Sequence, residues 1–267
     1  MTRILSAAIM IPAAILVVIY APPAYFLAGI GLLGTVCLYE YFGLIRSMGV
    51  KVQPLFGYLL FWILLIALRQ GRFPFNMVLA LVLLANFLST MWRTQQSVRE
   101  RATALMSELF GVLYLALCLY PALPVRYDFG NALGLHWFLI LLVVVWTGDT
   151  AALAIGKKLG RKRFAPILSP KKTYEGAIAG LLGGVFAAAI LQNFFLPDLP
   201  LRHVLIVSVL LGIFGQLGDL AESMLKRAAE IKDSSQLIPG HGGVLDRMDS
   251  LLFAFPVLYI YLFQLYR

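Results

Sequence analysis

A chain of 267 residues that is 61% hydrophobic, 13% charged and of mean hydropathy +0.86 lies far from soluble domains, which are nearer half apolar and a quarter charged. Its polar stretches are too short to bury a core of their own, which excludes a separate soluble domain. The net charge of +9 would suit nucleic acid in a soluble protein; in a membrane chain the positions of the charges matter more than the total, and no nucleic-acid partner is expected.

Apolar stretches able to span a bilayer fall near residues 4–20, 23–42, 54–68, 75–92, 105–121, 135–156, 175–196, 203–221 and 251–266. The expected fold is therefore all-α, a polytopic transmembrane helical bundle of about nine spans. With the N-terminus cytoplasmic, the inner segments hold 17 of the 22 Lys and Arg and the outer segments hold five. That bias predicts an N-in, C-out chain in the cytoplasmic (inner) membrane, with both highly charged loops in the cytoplasm. The first stretch also has the apolar core and trailing small residues of a cleaved signal peptide. A lone Arg3 is a thin basic region, however, and Pro22-Pro23 reads as a tight turn, so a retained helix is expected.

Residues 1–130 read as N-terminal transmembrane helices and 131–267 as a catalytic region, within one integrated membrane domain. In the first part, Cys37 and Cys118 lie inside apolar runs and read as buried thiols. Glu40 and Glu108 stand near span ends, where snorkelling or a hydrogen bond to a neighbouring helix accounts for each. Arg and Glu at helical spacing over 93–110 predict an interfacial extension of the fifth span.

The second part opens with His136 at an outer span end and Asp149 inside the sixth span, in "WTGDTAALAIG". The basic "GKKLGRKR" loop follows, and positive-inside charge with anionic-lipid attraction accounts for Arg161, Lys162 and Arg163. In "LSPKKTYEG", Thr173 is placed to cap the next helix, whose free N–H groups favour phosphate, and Lys171 and Lys172 lie just before it. Gly176, Gly180 and Gly184 share one face of that helix and predict close packing. His203 marks another outer span end.

About 24 Å further along a helix begun at His203 stands Asp219, still within a hydrocarbon core of roughly 30 Å. With Glu222, Ser223, Lys226, Arg227 and Glu230 it forms one polar stripe. An acid at that depth must face protein, water or a cation. The structural alternative is an Asp219–Lys or Asp219–Arg pair holding helices together. Pro239, Gly240, Gly242 and Gly243 then forbid a continuous helix, and their backbone can present N–H groups to an anion. Asp246, Asp249 and Ser250 follow at i, i+3 and i+4 on the first turn of the last helix. One of them can be an N-cap, but two acids facing Asp219 suit a hard cation with oxygen ligands. Acids for a divalent cation, Lys and Arg for phosphate and a Gly-rich backbone together point to phosphoryl chemistry at the cytoplasmic face.

The residues running from Ser223 through Leu225-Lys226-Arg227, Lys232-Asp233, Ser235, Ile238-Pro239 and His241-Gly242-Gly243-Val244 to Asp246-Arg247-Met248-Asp249 resemble the signature of phosphatidate cytidylyltransferases of bacterial type, with no departure from it. "SPKKTYEG" is similar to the family's second motif and "GDTAALAIGKKLG" to a third, less specific one; together they cover about residues 140–255. The resemblance implies CTP plus phosphatidic acid giving CDP-diacylglycerol and pyrophosphate within the lipid bilayer. It implies Lys226, Arg227, Lys232 and Arg247 as catalytic groups, and Lys171, Lys172, Thr173, Ser223, His241, Gly242 and Gly243 as substrate-binding ones. Asp219, Asp246 and Asp249, with Asp149 as a further candidate, are then the ligands of Mg²⁺, as one or two divalent cations; a monovalent cation also fits. A homodimer is an allowed assembly. The competing readings are a CTP-dependent lipid kinase and a cation transporter, and the DGxxAR-type helix of the CDP-alcohol phosphotransferases is absent.

Overall fold

The computed structural model describes residues 2–240 and 242–266, with the side chains of residues 2–7 and 9 outside the description. Every regular element among them is helical, since a chain in lipid must satisfy its backbone N–H and C=O groups within each segment. The helices are α1 (Thr2–Tyr20), α2 (Pro23–Ser47), α3 (Pro54–Gln70), α4 (Phe75–Met91), α5 (Val98–Leu119), α6 (Ala122–Tyr127), α7 (Asn131–Leu159), α8 (Tyr174–Phe195), α9 (Leu201–Ala228) and α10 (Leu245–Tyr266). Each of the nine apolar stretches falls on a helix. The short α6, between Pro121 and Asp128, was not expected. Six helices are long and apolar enough to cross a membrane, with α5 and α6 counted together over Val98–Tyr127. Met10–Tyr20, α3 and α4 are apolar but shorter.

Local sequence sets the helix ends. Pro54 opens α3, where a missing N–H costs nothing, and Gly71 closes it in the left-handed region. Ser97 and Glu100 form a reciprocal capping box that starts α5. The polar extension over 93–110 is thereby split, into a short connection and the first turns of α5.

The residues group into two compact units. The first comprises 1–10, 24–120 and 225–246, and the second 11–23, 121–224 and 247–267. In the first unit, α2 packs through small residues: Gly31 and Gly34 admit the rings of Trp62 and Phe61 from α3, where a side chain would collide. Tyr41 donates to the Ser107 carbonyl at 2.9 Å, and Trp62 to the Thr35 hydroxyl at 3.0 Å. Glu108 makes the hydrogen bonds expected of it, but its partners are specific. Arg93 grips both of its oxygens at 2.9 and 2.7 Å, and the Gln53 backbone N–H donates to it as well. Arg93 and Glu108 are both buried; the two terminal guanidinium nitrogens are paired with the carboxylate, while Arg93 Nε has no hydrogen-bond partner among the described residues.

In the second unit, α7 and α8 lie in close contact along the glycine face that the sequence predicts. Gly176 meets the Ala152 carbonyl and Gly156, Gly180 meets the Gly148 carbonyl, and Gly184 meets the Val144 carbonyl. A side chain at any of the three would force the helices apart. Buried Arg126 on α6 donates to the carbonyls of Val18 and Ile19 and to Asn131, which satisfies a charge that lipid would not tolerate alone. His203 bonds the Tyr261 hydroxyl at 2.7 Å.

Candidate active site

The polar residues singled out in the sequence fall into two constellations, one in each unit.

The first is built on the end of α9, the loop after it and the start of α10. Helix α9 closes in a Schellman motif. The Ile231 N–H reaches the Lys226 carbonyl, and the Glu230 N–H reaches that of Arg227. Glu230 takes the left-handed position (φ 58°) that Gly usually fills, at a cost of roughly 1 kcal/mol. Lys226 and Arg227 thus sit in the last turn, where the helix dipole favours cations. Arg227 is exposed and donates to the Ile231 carbonyl at 3.2 Å. Lys232 is exposed.

Beyond it, the Ile238 N–H closes a tight turn onto the Gly242 carbonyl, with Gly240 and Gly242 at positive φ. His241 lies outside the described residues. Gly243 is required for a different reason: a side chain there would collide with the Ser234 hydroxyl and the Glu40 carboxylate. At Gly242 it would press on the carboxylate of Asp246. The loop therefore wraps two acids. Asp246 Oδ2 accepts from the Gly243 N–H (2.8 Å), the Ser234 N–H (2.9 Å) and the Ser234 hydroxyl (2.9 Å). Its Oδ1 accepts from the Lys226 ammonium at 2.6 Å. Asp246 is buried and the Lys226 side chain only 11% exposed, so this pair is largely shielded from water and salt.

The second constellation gathers around α7, α8, α9 and α10. Thr173 caps α8 by accepting from the Gly176 N–H at 3.2 Å, as its sequence position predicts. Glu175 holds the preceding loop by accepting from the Arg161 and Lys162 N–H groups. Lys171 is exposed, while half-buried Lys172 reaches Asp219 at 2.7 Å. The structural alternative drawn for Asp219 is thus realised. Asp149, on α7, interacts electrostatically with Asp219, Lys172 and Arg247. Helices α9 and α10 cross where Gly218 meets the Asp249 carbonyl, so Asp219 and Asp249 both stand at that crossing. Asp249 accepts from the Ser250 N–H at 2.6 Å, and Ser223 lies 3.5 Å from Asp219 Oδ1.

A divalent cation can be tested against these donors. The acids of the second constellation are hard oxygen donors, and Asp149 and Asp219 share their surroundings with a cation already, Lys172. This chemistry fits Mg²⁺. Among the described residues, however, no three His, Cys, Asp or Glu side chains are gathered at ligand spacing. Asp246 is engaged at both oxygens, so a cation drawn to it must displace the Lys226 ammonium.

Sequence reasoning passed over Glu40, Ser234 and Ser235 as site residues. For Glu40 the signal was an acid in an otherwise apolar helix, "CLYEYFG", and for Ser235 its place in the signature, but nothing in the sequence says that the two meet.

Comparison with known proteins accords with this chemistry. The family model described as "Cytidylyltransferase family" matches residues 1–265. A phosphatidate cytidylyltransferase of Bacillus subtilis (strain 168) is 33% identical over 236 residues, 86% of each chain. One from Staphylococcus haemolyticus is 33% identical over 238 residues, 88% of each chain. A third, from Staphylococcus saprophyticus, is 38% identical over 168 residues, covering 61% of this chain and 65% of its own.

Proposed function

The chain belongs to the cytidylyltransferase family, and from that premise we propose that it joins CTP to phosphatidic acid, forming CDP-diacylglycerol and pyrophosphate, in phospholipid biosynthesis. The observation that carries this reading is the unbroken run of signature residues from Ser223 to Asp249 in a multi-pass helical chain. A phosphate oxygen of phosphatidic acid attacks the α-phosphorus of CTP, the new P–O bond forms, and the bond to the bridging oxygen breaks. Pyrophosphate leaves with the electron pair. The nucleophile is a phosphate monoester with a second pKa of about 6, so it is already largely dianionic near neutral pH and needs no general base.

The difficulty is therefore electrostatic, because two polyanions must be brought within bonding distance. Each unit carries positive charge for a phosphate: Lys226, Arg227 and Lys232 in the first, Lys172 and Arg247 in the second. Lys226 is held in place by Asp246, and Lys172 by Asp219. Thr173 caps α8 and leaves the remaining N–H groups of its first turn for phosphate. Asp219 and Asp249, which stand at the α9–α10 crossing, with Asp149 as a further donor, are the residues that would have to close on Mg²⁺, since no three acids are gathered at ligand spacing among the described residues. When bound, the ion would neutralise phosphate oxygens and let acidic residues support an anionic substrate. The charge bias of the loops supports a site on the cytoplasmic face of the inner membrane.

The test uses purified protein in detergent with cytidine-labelled CTP, phosphatidic acid and Mg²⁺. The expected result is label in a lipid product and one pyrophosphate released per lipid. A phosphorylated lipid with labelled CDP left in water would instead mark a CTP-dependent lipid kinase. Cation flux without nucleotide would mark a transporter. Excess EDTA should abolish turnover and Mg²⁺ should restore it; undiminished turnover in EDTA refutes the metal assignment.

A further inference from the structure

Glu40 lies on α2, about two hundred residues before the signature loop, and is 1% exposed. Its carboxylate faces four donors, all from that loop, and one of them, the Ser234 hydroxyl, shares its single proton between Glu40 and Asp246. Oε1 takes the Ser235 hydroxyl (2.5 Å) and the Val244 N–H (2.9 Å); Oε2 takes the Ser234 hydroxyl (3.0 Å) and the Leu245 N–H (2.6 Å). Val244 and Leu245 are the residues at which α10 starts. Glu40 therefore caps α10 from a different helix, with its charge at the positive end of the helix dipole. It ties both ends of the 234–245 loop to one point, and Ser234 passes directly from Glu40 to Asp246, the partner of Lys226.

A buried carboxylate is costly unless its acceptor sites are filled. Snorkelling toward water does not describe Glu40, because the side chain is enclosed. Gly243 shows how closely the two segments fit: no side chain can be placed between Glu40 and the loop. We infer that Glu40 is a positioning residue for the transfer reaction, an N-terminal anchor that sets the 234–245 loop and, through Ser234 and Asp246, the Lys226 ammonium. The inference rests on the activity proposed above. It extends the working site into the helices before residue 130.

The test compares Glu40→Gln and Glu40→Asp with the wild-type full chain in detergent. Glutamine keeps the shape but offers one acceptor oxygen for four donors. A serine hydroxyl can turn and accept from the new amide, whereas a backbone N–H cannot. Amide hydrogen exchange, measured without substrate, should quicken at least tenfold in peptides covering 234–245 of Glu40→Gln and stay unchanged in peptides from α5 and α7. In the same variant kcat should fall at least tenfold with KM for CTP within threefold. Glu40→Asp, which keeps the charge, should recover at least a third of wild-type kcat. Wild-type exchange or wild-type kcat in Glu40→Gln overturns the inference. So does faster exchange spread through α5 and α7, which would mean general loosening, and so does a Glu40→Asp no better than Glu40→Gln. If the wild-type protein makes no CDP-diacylglycerol, the activity reading fails, and the exchange data alone decide whether Glu40 anchors the loop.

Discussion

Replacing Asp246 by Asn keeps the shape of the side chain and removes its charge, and the structure shows why no rotamer of the amide can compensate. If the amide oxygen keeps the Oδ2 position, it retains Ser234 and Gly243, but its NH₂ then faces the Lys226 ammonium, donor against donor. Removing one partner of a buried ion pair costs about 3–5 kcal/mol, and Lys226 and Asp246 are 11% and 5% exposed at their side chains. If the amide is flipped, the oxygen serves Lys226, but the Ser234 and Gly243 N–H groups lose their acceptor. Each orphaned buried donor costs about 1–3 kcal/mol. Either way about 3 kcal/mol of the interaction that fixes the Lys226 ammonium is lost. Because Lys226 then leaves the position it needs for the transfer, turnover of Asp246→Asn should fall at least about a hundredfold, equivalent to about 2.7 kcal/mol. Lys226→Met should cost a similar amount. A double-mutant cycle measured as kcat/KM for CTP in mixed micelles should then show a coupling of at least about 2 kcal/mol, because the second change removes a partner already stranded. Retention of more than a tenth of wild-type turnover in Asp246→Asn, or losses that add within about 0.5 kcal/mol, refutes the reasoning.

Two further outcomes are expected. Lys172→Ala should weaken CTP use strongly, since Lys172 is held by Asp219, whereas exposed Lys162, whose hydrogen bonds to Glu175 and Tyr174 run through its backbone, should tolerate alanine; equal losses in initial-rate assays would favour diffuse surface charge over a defined site. For topology, a cysteine at exposed Gln236 should be labelled from the cytoplasmic side and one at exposed Asp198 from the outside, and the reverse pattern overturns the orientation.

Hydropathy alone located every helix but the short α6, because apolar runs of roughly twenty residues have few alternatives to helix in lipid. The glycine face of α8, the Thr173 cap and the family that the 223–249 signature marks were equally legible, since each depends on residues a few positions apart. Which partner each buried charge takes was not. Arg93 and Glu108, Lys226 and Asp246, and Glu40 with the 234–245 loop are joined across 15, 20 and roughly 200 residues. A sequence shows that a buried acid must have donors, but only the packing of helices brings a particular donor within 3 Å. For that reason Asp246 reads in sequence as a free metal ligand, yet in the structure it is fully occupied by the loop and Lys226. Glu40, unremarkable in its apolar helix, becomes the point to which the loop is tied, because tertiary packing carries α2 to the start of α10.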